Sequence, residues 1–142
     1  MVQKGTWSAE RELGVATVET EHQLQARLVA VLREAVEARR DRAVIGEILR
    51  RVEDTSNVHF MSEELLMRLH AYDHYGFHVD EHRHLLAELA TLRARFDADP
   101  DADLGPSVGA IEEWLRAHIQ GMDRRFIEAM ASGGAATPSP AG

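Results

Sequence analysis

Seven side chains of the kinds that bind metals recur along this chain at helical spacings, and they constrain its fold more than any other feature. They lie on four separate segments whose apolar residues repeat every three or four positions, as in amphipathic α-helices. The seven residues are His22, His59, Glu63, His78, His82, His118 and Asp123. Because each of them falls on or near the apolar stripe of its segment, they can be buried together only if the four helices pack as a bundle.

The four periodic segments are separated by short connections. They cover residues 18–38, 42–69, 74–96 and 107–130, and the prolines at 100, 106, 138 and 140 all lie outside them. Short connections favour antiparallel neighbours. The sequence therefore predicts an all-α, up-down-up-down antiparallel four-helix bundle over residues 17–131.

The two ends of the chain carry weaker patterns. Residues 1–16 are predicted to form an N-terminal arm that packs on the bundle through Trp7, Leu13 and Val15. Residues 132–142 are rich in glycine, proline and serine, have no large apolar side chain to bury, and are predicted to be a disordered tail.

Composition excludes several classes of function. A chain of 142 residues is the size of one domain. Without cysteine, it has neither thiolate zinc sites nor iron–sulfur clusters. The formal charge of −8, with both signs intermixed, argues against a nucleic-acid partner. With no signal-peptide pattern and no apolar run long enough to cross a bilayer, we expect a cytoplasmic protein with no membrane partner.

The spacings within the ligand set predict a metal centre. His59 with Glu63, and His78 with His82, are four residues apart, so each pair lies on one helix face about 5–6 Å apart. Imidazole with carboxylate suits iron, zinc, copper or nickel, whereas calcium and magnesium prefer oxygen alone. Seven ligands exceed one site. Two bridging acids and five imidazoles would give one ion three histidines and the other ion two, with an open position for a small ligand.

The last ligand pair has an unusual spacing. His118 and Asp123 are five residues apart, which places them about 140° apart on an ideal α-helix. A π-type turn would bring both onto one face, and such turns occur often at functional sites. We therefore predict a π-turn around residues 119–123, with Gly121 easing its strain.

The combined pattern over residues 7–130 resembles the hemerythrins, in particular the single-domain bacterial ones. The matching features are Trp7 with LGV at 13–15, VETEH at 18–22, HFMSEELLM at 59–67, Tyr72, HVDEH at 78–82 and WLRAHIQGMD at 114–123. The resemblance implies two non-haem iron ions, one held by His78, His82 and His118 and the other by His22 and His59. Glu63 and Asp123 would bridge the ions, together with an oxo or hydroxo group.

The resemblance also implies a function, which is reversible binding of dioxygen at the iron carried by His22 and His59. The protein would carry, store or sense oxygen. Five neutral imidazoles favour a ferrous pair, whereas di-iron oxygenases use carboxylate-rich ligand sets. The alternative is a di-iron enzyme that reduces peroxide or nitric oxide, or a fast-autoxidising oxidase. A structural zinc bundle is disfavoured, because it needs only four ligands per ion. We expect a monomer or a weak homo-oligomer.

Several further residues take roles from the same resemblance. Phe60, Trp114, Leu115 and Ile119 match positions that wall the ligand pocket, and Gln25 stands where the family usually has leucine. Either Gln25 turns away and bonds to a helix carbonyl, or its amide enters the pocket and hastens oxidation. The following residue, Ala26, is smaller than the usual aromatic.

The supporting residues and the remaining histidines are assigned as follows. Glu19 and Ser56, each one turn before a ligand histidine, are predicted to orient those imidazoles. His70 and His74 continue the four-residue spacing of His78 and His82, which would allow a second metal site. We instead predict that the three histidines outside the ligand set are exposed; they are His70, His74 and His84.

Overall fold

The computed structural model describes residues 2–132, and their side chains from residue 9 onward. Helices account for nearly all of this range, and it contains no strand. The helices are α1 (Val2–Glu37), α2 (Arg42–Leu69), α3 (Tyr75–Ala98), α4 (Gly105–His118) and α5 (Arg124–Ala131), with a π-helical turn, Ile119–Asp123, joining α4 to α5. The all-α prediction is confirmed.

The helices pack as a four-helix bundle in which α4, the π-turn and α5 form the fourth member. Each helix packs against its neighbour in the chain, and α1 also packs against α4 to close the ring. Arg39, after α1, and Ala71, after α2, have positive φ angles of 55° and 50°. This left-handed conformation ends a helix and reverses the chain. None of the helices in residues 2–132 is long and apolar enough to cross a membrane.

Two apolar clusters fill the bundle, one toward each end. The larger includes Leu32, Leu49 and Leu89. The smaller includes Met67 and Phe126. The buried polar side chains of the predicted ligand set lie between them along the helices. The candidate site is thus a polar layer inside an otherwise apolar core.

The first helix begins much earlier than its apolar pattern predicts. It starts at Val2 rather than near residue 18, because residues 2–17 contain no proline and are mostly compatible with a helix. The predicted packing of Leu13 is wrong, since 69% of this residue is exposed. Val15 does pack against the smaller apolar cluster. The side chain of Trp7 and residues 133–142 lie outside the described residues.

Candidate metal centre

The structure brings all seven predicted ligand side chains together in two overlapping groups. One group is Glu63, His78, His82, His118 and Asp123; the other is His22, His59, Glu63 and Asp123. Within each group, one potential ligand atom from every residue lies within 4.8 Å of the others. All seven residues are buried. One group thus has three histidines and the other has two, and both groups share the same two acids.

Each shared carboxylate directs one oxygen toward each group. On one side, Glu63 Oε2 and Asp123 Oδ2 lie 3.1 and 2.8 Å from His22 Nε2. On the other side, Glu63 Oε1 and Asp123 Oδ1 lie 3.0 and 2.7 Å from His78 Nε2. An acid that offers its two oxygens to two separate groups has the geometry of a bridging ligand.

The predicted π-turn is confirmed at Ile119–Asp123. It rotates Asp123 onto the face of His118, so that Asp123 Oδ1 lies 3.1 Å from His118 Nε2. Gly121 is not needed for this turn. A Cβ atom at Gly121 would meet nothing within 4 Å, and the residue has no positive φ.

Replacing Gly121 with alanine should therefore be tolerated. We expect the free energy of unfolding to rise by about 0.5–1 kcal/mol, because alanine loses less conformational entropy in a helix than glycine. Gly14→Ala is the contrasting control, since its Cβ would lie 2.8 Å from Leu66 Cδ1. Urea unfolding of both variants measures the difference. A large loss of stability in Gly121→Ala would show that the turn does need glycine.

Several nitrogen and oxygen atoms of the site are buried without a hydrogen-bond partner. They include Nε2 of His59, His82 and His118, and Glu63 Oε1. Some lie close together without the alignment of a hydrogen bond, such as His82 Nε2, which is 2.9 Å from Glu63 Oε1. Each unsatisfied group costs about 1–3 kcal/mol. Metal ions among these atoms would satisfy them, so the residues present fit a metal site.

The ionisation of the metal-free site follows from the same contacts. Burial acts to lower the pKa of His22 and of His78, but hydrogen bonds to Asp123 and Glu63 outweigh it and raise both pKa values to about 9. Burial acts to raise the pKa of each carboxyl group, yet the surrounding imidazoles hold both well below their usual range. Burial lowers the pKa of His59. In the metal-free protein, protons on His22 and His78 thus balance the negative charge of the two carboxylates, and metal binding would release these protons.

Three outer carboxylates contact the far nitrogens of ligand histidines. Glu21 Oε1 lies 3.1 Å from His59 Nδ1, and Glu64 Oε2 lies 2.7 Å from His82 Nδ1. Glu81 Oε1 lies 3.6 Å from His118 Nδ1. In each case an acid on one helix faces a histidine on the next helix in the chain. The hydrogen bonds of Glu21 and Glu64 fix the orientation of the ring and raise its basicity as a ligand, whereas Glu81 is too far from His118 for a hydrogen bond.

The predicted orienting residues were wrong. Glu19 is exposed, and Ser56 accepts a hydrogen bond from Gln25 rather than contacting His59 through any described bond. The acids that do support histidines each sit directly beside a ligand in the sequence. A neighbour in sequence points about 100° away from the ligand. Such an acid therefore faces the adjacent helix. A search restricted to the ligand face of one helix does not find it.

Comparison with known families accounts for most of the chain: residues 13–130 match the family model described as the hemerythrin HHE cation binding domain. The chain belongs to the hemerythrin family. Similar proteins named bacteriohemerythrin come from Pseudomonas paraeruginosa, 25% identical over 87% of this chain and 80% of the relative, and from Stenotrophomonas maltophilia, 26% identical over 86% and 78%. No solved structure gives a significant match.

In this hemerythrin fold, the outer carboxylates allow the metal site to be tested without replacing any of the candidate ligands. Glu64→Ala removes the acceptor for His82 Nδ1 and should weaken metal binding roughly 10–100-fold, as loss of such partners does in other metal sites. Competition with a chelator measures the affinity. Glu34→Ala, at an exposed position on α1, is the matched control. Equal affinities for the two variants would contradict the supporting role of Glu64.

The residues predicted to wall the hemerythrin ligand pocket have two kinds of surroundings. The ring of Phe60 stacks on His82 at 3.9 Å, and that of Trp114 stacks on His118 at 4.8 Å, so both pack on ligands of the three-histidine group. Leu115 and Ile119 instead line a cleft of about 230 Å³ between α1 and α4, together with Ala26. The small side chain at position 26 leaves this cleft open on the outer side.

Gln25 is fully buried, with 1% of the residue exposed. Its Nε2 donates a hydrogen bond of 2.8 Å to Ser56 Oγ, and its Oε1 is buried without a partner. Of the two alternatives considered for Gln25, the bond to a helix carbonyl is not found; its amide nitrogen bonds to a side chain of α2 instead. Gln25 lies three residues after His22 and Ser56 three residues before His59, so the pair sits about one helical turn from those two histidines.

The histidines outside the ligand set are only partly as predicted. His74 and His84 are exposed, which confirms the prediction for both. His70 is buried, with 9% of the residue exposed, so the prediction for it was wrong. No other group of metal-type side chains was found within the described residues.

Proposed function

We propose that this chain holds two iron ions and binds dioxygen at them reversibly. The proposal rests on how the two shared carboxylates are oriented. Glu63 and Asp123 each direct one oxygen toward His22 and the other toward His78. Membership of the hemerythrin family supports the same metal and ligand. When bound, a ferrous pair would supply the electrons for reversible dioxygen binding.

The unequal division of histidines supports one open position. His78, His82 and His118 form one group with the two acids, whereas the other group has only His22 and His59. The group with fewer donors is where an exogenous ligand binds at a metal. The stacking of Phe60 and Trp114 on ligands of the three-histidine group also leaves that group the more enclosed of the two.

The chain's own residues favour reversible binding over oxygenation. Five imidazoles surround two carboxylates, so the ligand set adds less negative charge than the carboxylate-rich sets of di-iron oxygenases. Apolar clusters border the site along the bundle and limit the water that reaches it. Leu115 and Ile119, which line the cleft between α1 and α4, would form the inner wall of the approach for a small ligand.

One observation favours a second candidate function, an enzyme that reduces peroxide or nitric oxide or a fast-autoxidising oxidase. The buried pair of Gln25 and Ser56 places polar groups about one helical turn from His22 and His59. Polar groups at this position would hold water or donate hydrogen bonds, and both assist proton transfer to a reduced ligand.

The two candidates are distinguished by one experiment. The protein is loaded with ferrous iron without air, its iron content is measured, and dioxygen is admitted while the visible spectrum is recorded. Reversible binding predicts an absorption band that appears with dioxygen and disappears when dioxygen is removed. Rapid, irreversible conversion to the diferric protein with peroxide turnover would favour the second candidate. No band, with zinc bound more tightly than iron, would contradict both.

A further inference from the structure

The C-terminal half of α2 is apolar on its outer face as well as on its inner face. Val58, Met61, Leu65 and Leu69 are 58%, 71%, 50% and 59% exposed, and we name these four residues the α2 stripe. Met61 and Leu65 stand two residues on either side of the buried Glu63, so they point away from the metal centre. A helix with apolar side chains on both faces is typical of a helix that packs against a further partner.

The N-terminal half of the same outer face is entirely different. It carries Glu47, Arg50, Arg51 and Asp54, which pair among themselves, as in the 3.0 Å contact between Arg50 and Asp54. The face therefore changes from charged to apolar at Val58, within one helix. Ordinary solvent exposure explains the charged half, but a contiguous apolar stripe on a surface indicates an interaction site.

The α2 stripe borders a groove of about 390 Å³. Its lining includes Val58, Met61 and Leu65 together with Glu64 and Tyr75. Glu64 also contacts the ligand His82. The groove thus lies directly outside one of the carboxylates that support the metal centre, and a partner covering it would bury that carboxylate further.

We propose that the α2 stripe is the interface of a twofold dimer in which α2 packs antiparallel against α2 of a second copy of this chain. Val58, Met61 and Leu65 of the stripe follow the three-and-four spacing of a coiled-coil seam; the next seam position is Arg68, and Leu69 lies beside it. A twofold axis between Met61 and Leu65 places Met61 against the partner's Leu65. The stripe is then complementary to itself, as a twofold interface requires.

Charge complementarity selects the antiparallel direction. In that pairing, Arg68 reaches across the partner's Val58 to within about one helical turn of the partner's Asp54. A parallel pairing would place Arg68 beside the partner's Arg68 instead, where like charges repel. Each copy carries a net charge of −8 and contributes few apolar side chains, so the dimer is expected to be weak.

Sedimentation of the full-length, iron-loaded protein over a range of concentrations tests the dimer. The proposal predicts a monomer–dimer equilibrium in which Met61→Lys raises the Kd at least tenfold. Leu24→Lys, at a 49% exposed leucine on α1, should leave the Kd unchanged. Circular dichroism and iron content test whether both variants remain folded. A protein that stays monomeric at every concentration would overturn the proposal. If that monomer also binds phosphatidylglycerol vesicles, the stripe would instead be a lipid-binding surface. A dimer that Met61→Lys leaves intact would likewise overturn the proposal.

The register has a separate test, which the absence of native cysteine makes simple. The single variants Met61→Cys and Leu65→Cys are oxidised separately and as a mixture. Antiparallel packing predicts that the mixed disulfide between positions 61 and 65 forms several times faster than either symmetric one. Faster formation of the symmetric disulfides would contradict the proposed register.

Discussion

Replacing Glu63 with glutamine should lower the metal content from the proposed two ions per chain to fewer than one, because both groups of ligands would lose the same bridging carboxylate. Glu63 Oε2 faces His22 and Glu63 Oε1 faces His78 and His82. The amide nitrogen of glutamine offers no lone pair to a metal, so one of these two sides loses its ligand and both lose a negative charge. The variant keeps nearly the same volume, which limits any effect of packing.

Two further variants make the result specific. His82→Ala removes a ligand that belongs to only one group, so this variant should keep about one ion per chain, since the His22 and His59 group retains all its ligands. Glu34→Gln, an exposed change on α1, should keep the full content. Elemental analysis after anaerobic loading and dialysis gives the values, and circular dichroism confirms folding. Full metal content in Glu63→Gln would show that this acid does not bridge.

The seven candidate ligands and the π-turn could be predicted from the sequence because both depend on local geometry. Side chains four residues apart must share a helix face. The five-residue step from His118 to Asp123 is incompatible with a regular helix if both bind, and the turn at Ile119–Asp123 resolves this conflict. For six of the seven ligands the spacing along one segment decides the outcome. His22, the single candidate on its segment, was instead predicted from its place on the apolar stripe.

Features that depend on how the helices rotate against one another could not be predicted in this way. Glu21 and Glu64 support histidines on the next helix, and Glu81 faces one at 3.6 Å, so predicting these contacts requires knowing which helices are adjacent and which of their sides face each other. The same limit applies to Gln25, whose partner Ser56 lies on α2. The early start of α1 has a different cause, because helix propensity without an apolar pattern extended it to Val2.

Replacing Gln25 with leucine should slow oxidation of the iron-loaded, dioxygen-exposed protein roughly tenfold, since one lost hydrogen bond near the reacting centre is worth about 1 kcal/mol or slightly more. Gln25 Oε1 is buried without a partner, so it would bind a water molecule or a protonated ligand beside the site. Leucine restores the apolar wall that is usual for the family. The loss of the dioxygen-dependent visible band, recorded in air, measures the rate of oxidation.

Matched variants separate this effect from a general change in the bundle. Gln23→Leu makes the same substitution at an exposed position of α1 and should leave the rate unchanged. Ser56→Ala removes the partner of Gln25 Nε2 and should also alter the rate. Because the two side chains act through one hydrogen bond, the double variant Gln25→Leu/Ser56→Ala should differ little from Gln25→Leu. An unchanged rate in Gln25→Leu would mean that its amide lies too far from the bound ligand to act, and that the polar pair only fills the core between α1 and α2.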